Sequence, residues 1–162
     1  LLGTIDVMEE RNKKGKAMKI AICDDDVADL KLMQSYCGRY DSTIPTTAFT
    51  SGEALLEAYC KDFYDLVFLD IEMGQLNGLE LGSRLIHLSP KPVIVFTTQS
   101  LSYAVRGYGI AMRYLPKPIT YDTFSDIMAL AMERILPQKI SIFSNCNTSG
   151  CFNVFFYTIY FN

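Results

Sequence analysis

One stretch sets the terms for the rest of this chain: Leu66-Val67-Phe68-Leu69, four apolar residues in a row, closed by the carboxylate of Asp70. A run this short, bounded by Asp65 and Asp70, reads as a strand covered on both faces, the pattern of a parallel sheet. The pattern recurs at 19–23, 44–49, 93–96 and 112–115, with helical spacing between the runs. Asp26 is placed to cap a helix over 28–40 with Leu30, Met33 and Cys37 on one face. Thr50-Ser51-Gly52-Glu53 has capping-box spacing ahead of a helix to about residue 60, with Leu55, Leu56 and Tyr59 inward. Asn77-Gly78 reads as a turn before a helix over 79–88, stopped by Ser89-Pro90. A short helix is expected over 102–108, and Thr120 can cap a last one through 136, ended by Pro137.

Five strands alternating with five helices imply βαβ crossovers and a doubly wound α/β fold. The expected sheet is parallel and flavodoxin-like, of order 2-1-3-4-5, with its switch point between the first and third strands. The domain so defined runs over 18–137. Ahead of it, residues 1–17 carry the charge run Glu9 to Lys16 without apolar period and read as a disordered leader, with Met18 a candidate natural start. Behind it, 138–162 reads as a β-hairpin or the opening of a β-rich domain, with more aromatics than one hairpin can bury.

Composition narrows the function classes. At 49% hydrophobic and 20% charged the chain can bury a core, and a net charge of −3 gives no general affinity for nucleic acid or anionic membrane. No apolar run is long enough to span a membrane, and no signal peptide opens the sequence. Five scattered cysteines and a single histidine, His87, fit reduced thiols in the cytoplasm rather than disulfides or a structural zinc site.

The chemistry-bearing residues fall at strand ends: Asp24 and Asp25 after the first strand, Asp70 on the third, Thr97 and Thr98 on the fourth, Lys117 after the fifth. Taken singly, each has a plainer reading as a helix cap, a turn former or a loop residue. Together they surround the switch-point crevice. Three carboxylates in one place repel one another unless a cation neutralises them, and hard oxygen donors with incomplete protein coordination suit Mg²⁺. A lysine ammonium and a threonine hydroxyl beside them complete what phosphoryl transfer onto an aspartate requires.

These residues are similar to the receiver domain of two-component response regulators over about 19–136. The resemblance rests on Ile22-Cys23-Asp24-Asp25-Asp26, Phe68-Leu69-Asp70-Ile71-Glu72-Met73, Asn77-Gly78, Phe96-Thr97-Thr98 and Tyr114-Leu115-Pro116-Lys117-Pro118. It implies that Asp70 is a phosphoacceptor taking its phosphoryl group from a sensor histidine kinase. It implies Mg²⁺ held by Asp24, Asp25, Asp70 and the backbone carbonyl of Glu72, with Lys117 and Thr98 on the phosphoryl group and Tyr114 as the switch aromatic. Counting back from Tyr103-Ala104 selects Thr98 for the hydroxyl role, whereas counting forward from Pro92-Val93 selects Thr97. A phosphorylation-dependent homodimer would follow, in a protein that is a switch rather than an enzyme.

Leu69-Asp70-Ile71-Glu72-Met73 and Tyr103-Ala104-Val105-Arg106-Gly107-Tyr108 are further similar to LytTR-type regulators, which join a receiver to a β-rich DNA-binding domain. The 138–162 tail resembles the first strands of such a domain, too few for DNA binding by this chain. Two departures stand out: Gly74 where the family often has Pro, expected only to loosen the loop, and a segment at 108–112 that is one residue short. Two other classes compete. A phosphate-independent dimerisation module needs no chemistry at Asp70, and a haloacid dehalogenase-type phosphatase would use Asp24-x-Asp26 as its nucleophile motif.

Overall fold

In a computed structural model, residues 18–74, 76–100 and 109–135 are described, and the first strand, β1, occupies Ile20–Cys23. It is followed by α1 (Val27–Tyr40), β2 (Thr46–Phe49), α2 (Gly52–Lys61), β3 (Leu66–Asp70) and α3 (Gly78–Leu85). Then come β4 (Val93–Thr98), β5 (Arg113–Pro116) and α4 (Tyr121–Ile135). All neighbouring strands pair parallel in the order β2-β1-β3-β4-β5, the topology expected from the alternation. The leader, the 102–108 helix and the 138–162 tail lie outside the described residues.

Strand periodicity explains why both faces are covered. Ala21, Cys23, Val67, Leu69, Ile94 and Phe96 point to one side and pack with Leu55, Tyr59, Leu81 and Leu85 of α2 and α3. The alternate residues Ile20, Ile22, Leu66, Phe68, Val95 and Leu115 point to the other, against Leu30, Met33 and Cys37 of α1 and Phe124, Met128 and Ala131 of α4. Each fully buried side chain of this size contributes about 1.5–3 kcal/mol. That is ample reason for apolar runs unbroken by polar residues. Phe68 and Phe124 stack across the second layer at 5.4 Å between centroids, tying the central strand to the last helix.

Helix starts follow side-chain chemistry closely. Asp26 accepts from Ala28 N–H at 2.7 Å and Thr120 from Thr123 N–H at 3.3 Å, so both expected caps are in place. At α2 the cap is Ser51, which accepts from Ala54 N–H, one residue later than the Thr50 to Glu53 spacing suggests. Asn77 is no turn residue: its side chain caps α3 through Glu80 N–H at 2.9 Å. Helix α3 itself ends at Leu85, short of residue 88, because His87 and Leu88 N–H bond three residues back, to Arg84 and Leu85.

Candidate functional site

The sheet delivers the site residues to one edge. In register, Cys23 faces Leu69 and Asp70 faces Thr97, so the ends of β1, β3 and β4 stand side by side. Backbone bonds extend the ladder outward: Asp24 N–H to Phe49 O, Ile71 N–H to Thr97 O, and Lys117 N–H to Thr98 O at 2.8 Å. Helix α3 closes the floor. A Cβ at Gly78 would lie 2.0 Å from the carbonyl oxygen of Asp70, so only glycine lets α3 start this close to the end of β3.

Carboxylate oxygens of Asp24, Asp25 and Asp70 all lie within 4.8 Å of one another. Asp24 and Asp70 are buried while Asp25 is exposed. Asp24 Oδ1 accepts from Asp26 N–H, and its Oδ2 accepts from the Lys117 ammonium at 2.8 Å. The same ammonium lies 3.1 Å from Asp70 Oδ1 and 2.8 Å from Asp29 Oδ2. Asp70 Oδ1 is buried with an ion-pair neighbour but no hydrogen-bond donor among the described residues.

The electrostatics follow from this crowding. Burial pushes the Asp70 carboxyl up to about 6; the Lys117 charge opposes the rise, and Asp24 and Asp25 add to it. Asp24 is also raised, first by burial, against the hydrogen bond from Lys117. For Lys117 burial disfavours the charge, but hydrogen bonds to Asp24 and Asp29 and the field of Asp70 outweigh it, so its pKa is raised. Cys23, directly behind the cluster, is pushed up to about 12 by burial and then by Asp24 and Asp70, and its Sγ instead meets Met73 Sδ at 3.6 Å. It is an inert core thiol.

Hard oxygen donors converging on an under-satisfied buried carboxylate fit a hard divalent cation such as Mg²⁺. The two threonines are separated by strand alternation. Thr97 shares the face of Asp70, its register partner; Thr98 shares the face of Phe96, whose ring packs on Tyr114 at 5.5 Å. Thr98 Oγ1 is engaged with the N–H and carbonyl of Ser100, at 3.0 Å each. Glu72 lies two residues beyond Asp70 with its side chain exposed.

The phosphatase reading loses its second acid here. Asp26 is exposed and spends its carboxylate capping α1, while Lys117, Asp24 and Asp25 gather around Asp70. Chain comparison agrees with that geometry. Residues 20–129 match the family model of the response regulator receiver domain. The chain belongs to the response regulator receiver family.

Among relatives, the transcriptional regulatory protein LytR of Staphylococcus aureus is 38% identical over 64 residues, 39% of this chain and 26% of its own length. The sensory transduction protein LytR of Streptococcus agalactiae is 30% identical over 140 residues, 77% of this chain and 56% of that protein. The chain thus spans from about a quarter to just over half of these relatives. In fold, the receiver matches the Thermotoga maritima response regulator TrrA solved in complex with Mg²⁺-BeF, with a TM-score of 0.64 at 23% identity, over 70% of this chain and 98% of that one.

Two contributors escaped the sequence reading of this receiver. Gly74 does more than loosen its loop: its N–H donates to Asp25 Oδ2 at 3.2 Å, a bond that proline cannot make. Asp29, in the first turn of α1, carries only the generic signal of an acid at a helix N-terminus, and yet it reaches Lys117.

Proposed function

We propose that this receiver accepts a phosphoryl group on Asp70 from a sensor histidine kinase and converts it into a change of surface. The observation that carries this is the buried Asp70 carboxylate, one oxygen short of a hydrogen-bond donor, facing a single ammonium and two more carboxylates.

Asp24, Asp25, Asp70 and the backbone carbonyl of Glu72 would hold Mg²⁺. When bound, the ion neutralises the carboxylates and the negative charge on the incoming phosphoryl oxygens. An Asp70 oxygen attacks phosphorus in line, forming the acyl phosphate as the bond to the donor's imidazole or carboxylate breaks. Lys117, held charged by its neighbours, donates to a phosphoryl oxygen. Thr98 stands one residue further out along β4 than Asp70's partner Thr97, where a group extending beyond Asp70 would lie. Its hydroxyl would exchange Ser100 for a phosphoryl oxygen, and Tyr114, on the same face, would move with it.

Phosphorylation would favour a homodimer, and the 138–162 segment would begin a LytTR-type output domain, through which the whole protein would act on DNA from the cytoplasm. Among the described residues no helix is long and apolar enough to cross a membrane. The test is incubation with Mg²⁺ and acetyl phosphate followed by intact-mass measurement. A single phosphoryl gain is expected, lost in Asp70→Asn and without Mg²⁺. No gain on folded protein would leave the phosphate-independent module.

A further inference from the structure

The Lys117 ammonium has three protons and three carboxylate neighbours: Asp24 at 2.8 Å, Asp29 at 2.8 Å and Asp70 at 3.1 Å. Asp24 and Asp70 belong to the cluster that fits a cation, and Asp29 does not. Its carboxylate therefore has one visible task at this site, to hold the ammonium from the side of α1. Asp29 is part-exposed, its side chain 32% accessible against 12% for Lys117, so it is anchored on the rim and leans inward.

We propose that Asp29 is a positioning residue for phosphoryl transfer, one that engages Lys117 in the resting state and competes with the phosphoryl group for it. This rests on the phosphoacceptor reading of Asp70. The incoming group adds negative charge next to the same ammonium. A carboxylate already bound there divides the lysine's donors and repels the phosphoryl oxygens. The pair thus slows phosphorylation by holding part of the ammonium's charge and donors away from the incoming group.

The experiment follows acetyl phosphate labelling by intact mass over time for the wild type, Asp29→Asn and Asp29→Glu, at low and high salt. Asp29→Asn is expected to label about three- to tenfold faster at low salt, the effect of one charge near a partly solvated site. The difference should shrink as salt is added. Asp29→Glu, which restores the charge, should return toward the wild-type rate. Independently, the ¹⁵N resonance of the Lys117 ammonium in metal-free protein should shift in Asp29→Asn and return in Asp29→Glu.

A wild type that labels while Asp29→Asn labels at the same rate or more slowly overturns this proposal alone. So does a salt-independent difference, or a glutamate that behaves like asparagine. A wild type that does not label overturns both this proposal and the phosphoacceptor reading.

Discussion

The two edges of the sheet are built from the same residue types and treat them in opposite ways. At the amino edge, charges and polar groups meet complementary partners. The Lys19 ammonium pairs with Asp62, Lys19 N–H donates to Asp65 Oδ2 at 2.9 Å, and Asp65 N–H returns a bond to Lys19 O. Tyr59, on the buried face of α2, places its hydroxyl 2.8 Å from the carbonyl of Pro90. At the carboxyl edge Asp24, Asp25, Asp29 and Asp70 gather around one lysine, and a buried carboxylate oxygen is left without a hydrogen bond. One edge closes the structure. The other holds unbalanced negative charge of the kind a cation relieves.

That contrast breaks most sharply at Gly78. Gly78→Ala is expected to cost more than about 3 kcal/mol, because the new Cβ meets the backbone of Asp70 and neither α3 nor β3 can yield cheaply. Gly74→Ala, with nothing within 4 Å of its Cβ, serves as the control and should shift stability by less than about 0.5 kcal/mol. Urea unfolding measures both. Equal costs would mean that the close approach of α3 does not organise the site.

Unbalanced charge should also appear in the pH dependence of the metal-free protein. Asp70 ionises near its ordinary value of 3.8 when unfolded and only near about 6 when folded, so the folded state binds the extra proton between them. Stability is therefore highest below pH 3.8 as far as this group is concerned. It falls as pH rises through about 6, by on the order of 3 kcal/mol. Asp24 is shifted in the same direction, and Lys117 stays charged throughout this window. Denaturant melts from pH 4 to 7 should show the decline, and Asp70→Asn should flatten it. A flat wild-type profile would show that the carboxyl edge is better compensated than its geometry implies.

A smaller loss is expected at the amino edge. Tyr59→Phe removes the hydroxyl beside Pro90 and should cost about 1–1.5 kcal/mol while leaving Asp70 labelling unchanged. A change in labelling rate would show that the two edges are coupled through the sheet.

Much of this was legible residue by residue. The capping role of Asp26, the buried stripe Leu30-Met33-Cys37 and all five strands follow from local spacing, the alternation with helices implies parallel strands, and the order 2-1-3-4-5 comes from the doubly wound pattern. The misreadings share a cause. Thr50 and Ser51 are chemically equivalent as caps, and only the backbone path selects Ser51. Asn77-Gly78 looks like a turn because both residues favour one, whereas here the asparagine caps a helix and the glycine makes room for the Asp70 carbonyl.

Local periodicity thus determined which residues form strands, which side chains enter the two core layers and which strand ends carry acids, because alternation and helical spacing are properties of neighbours in the chain. The tertiary structure decided the rest. Register set Thr97 rather than Thr98 opposite Asp70, crossover packing brought Asp29 to Lys117, and burial raised the Asp70 carboxyl toward 6. Those outcomes depend on distances across the sheet and on the exclusion of water, and neither quantity exists until the strands are side by side.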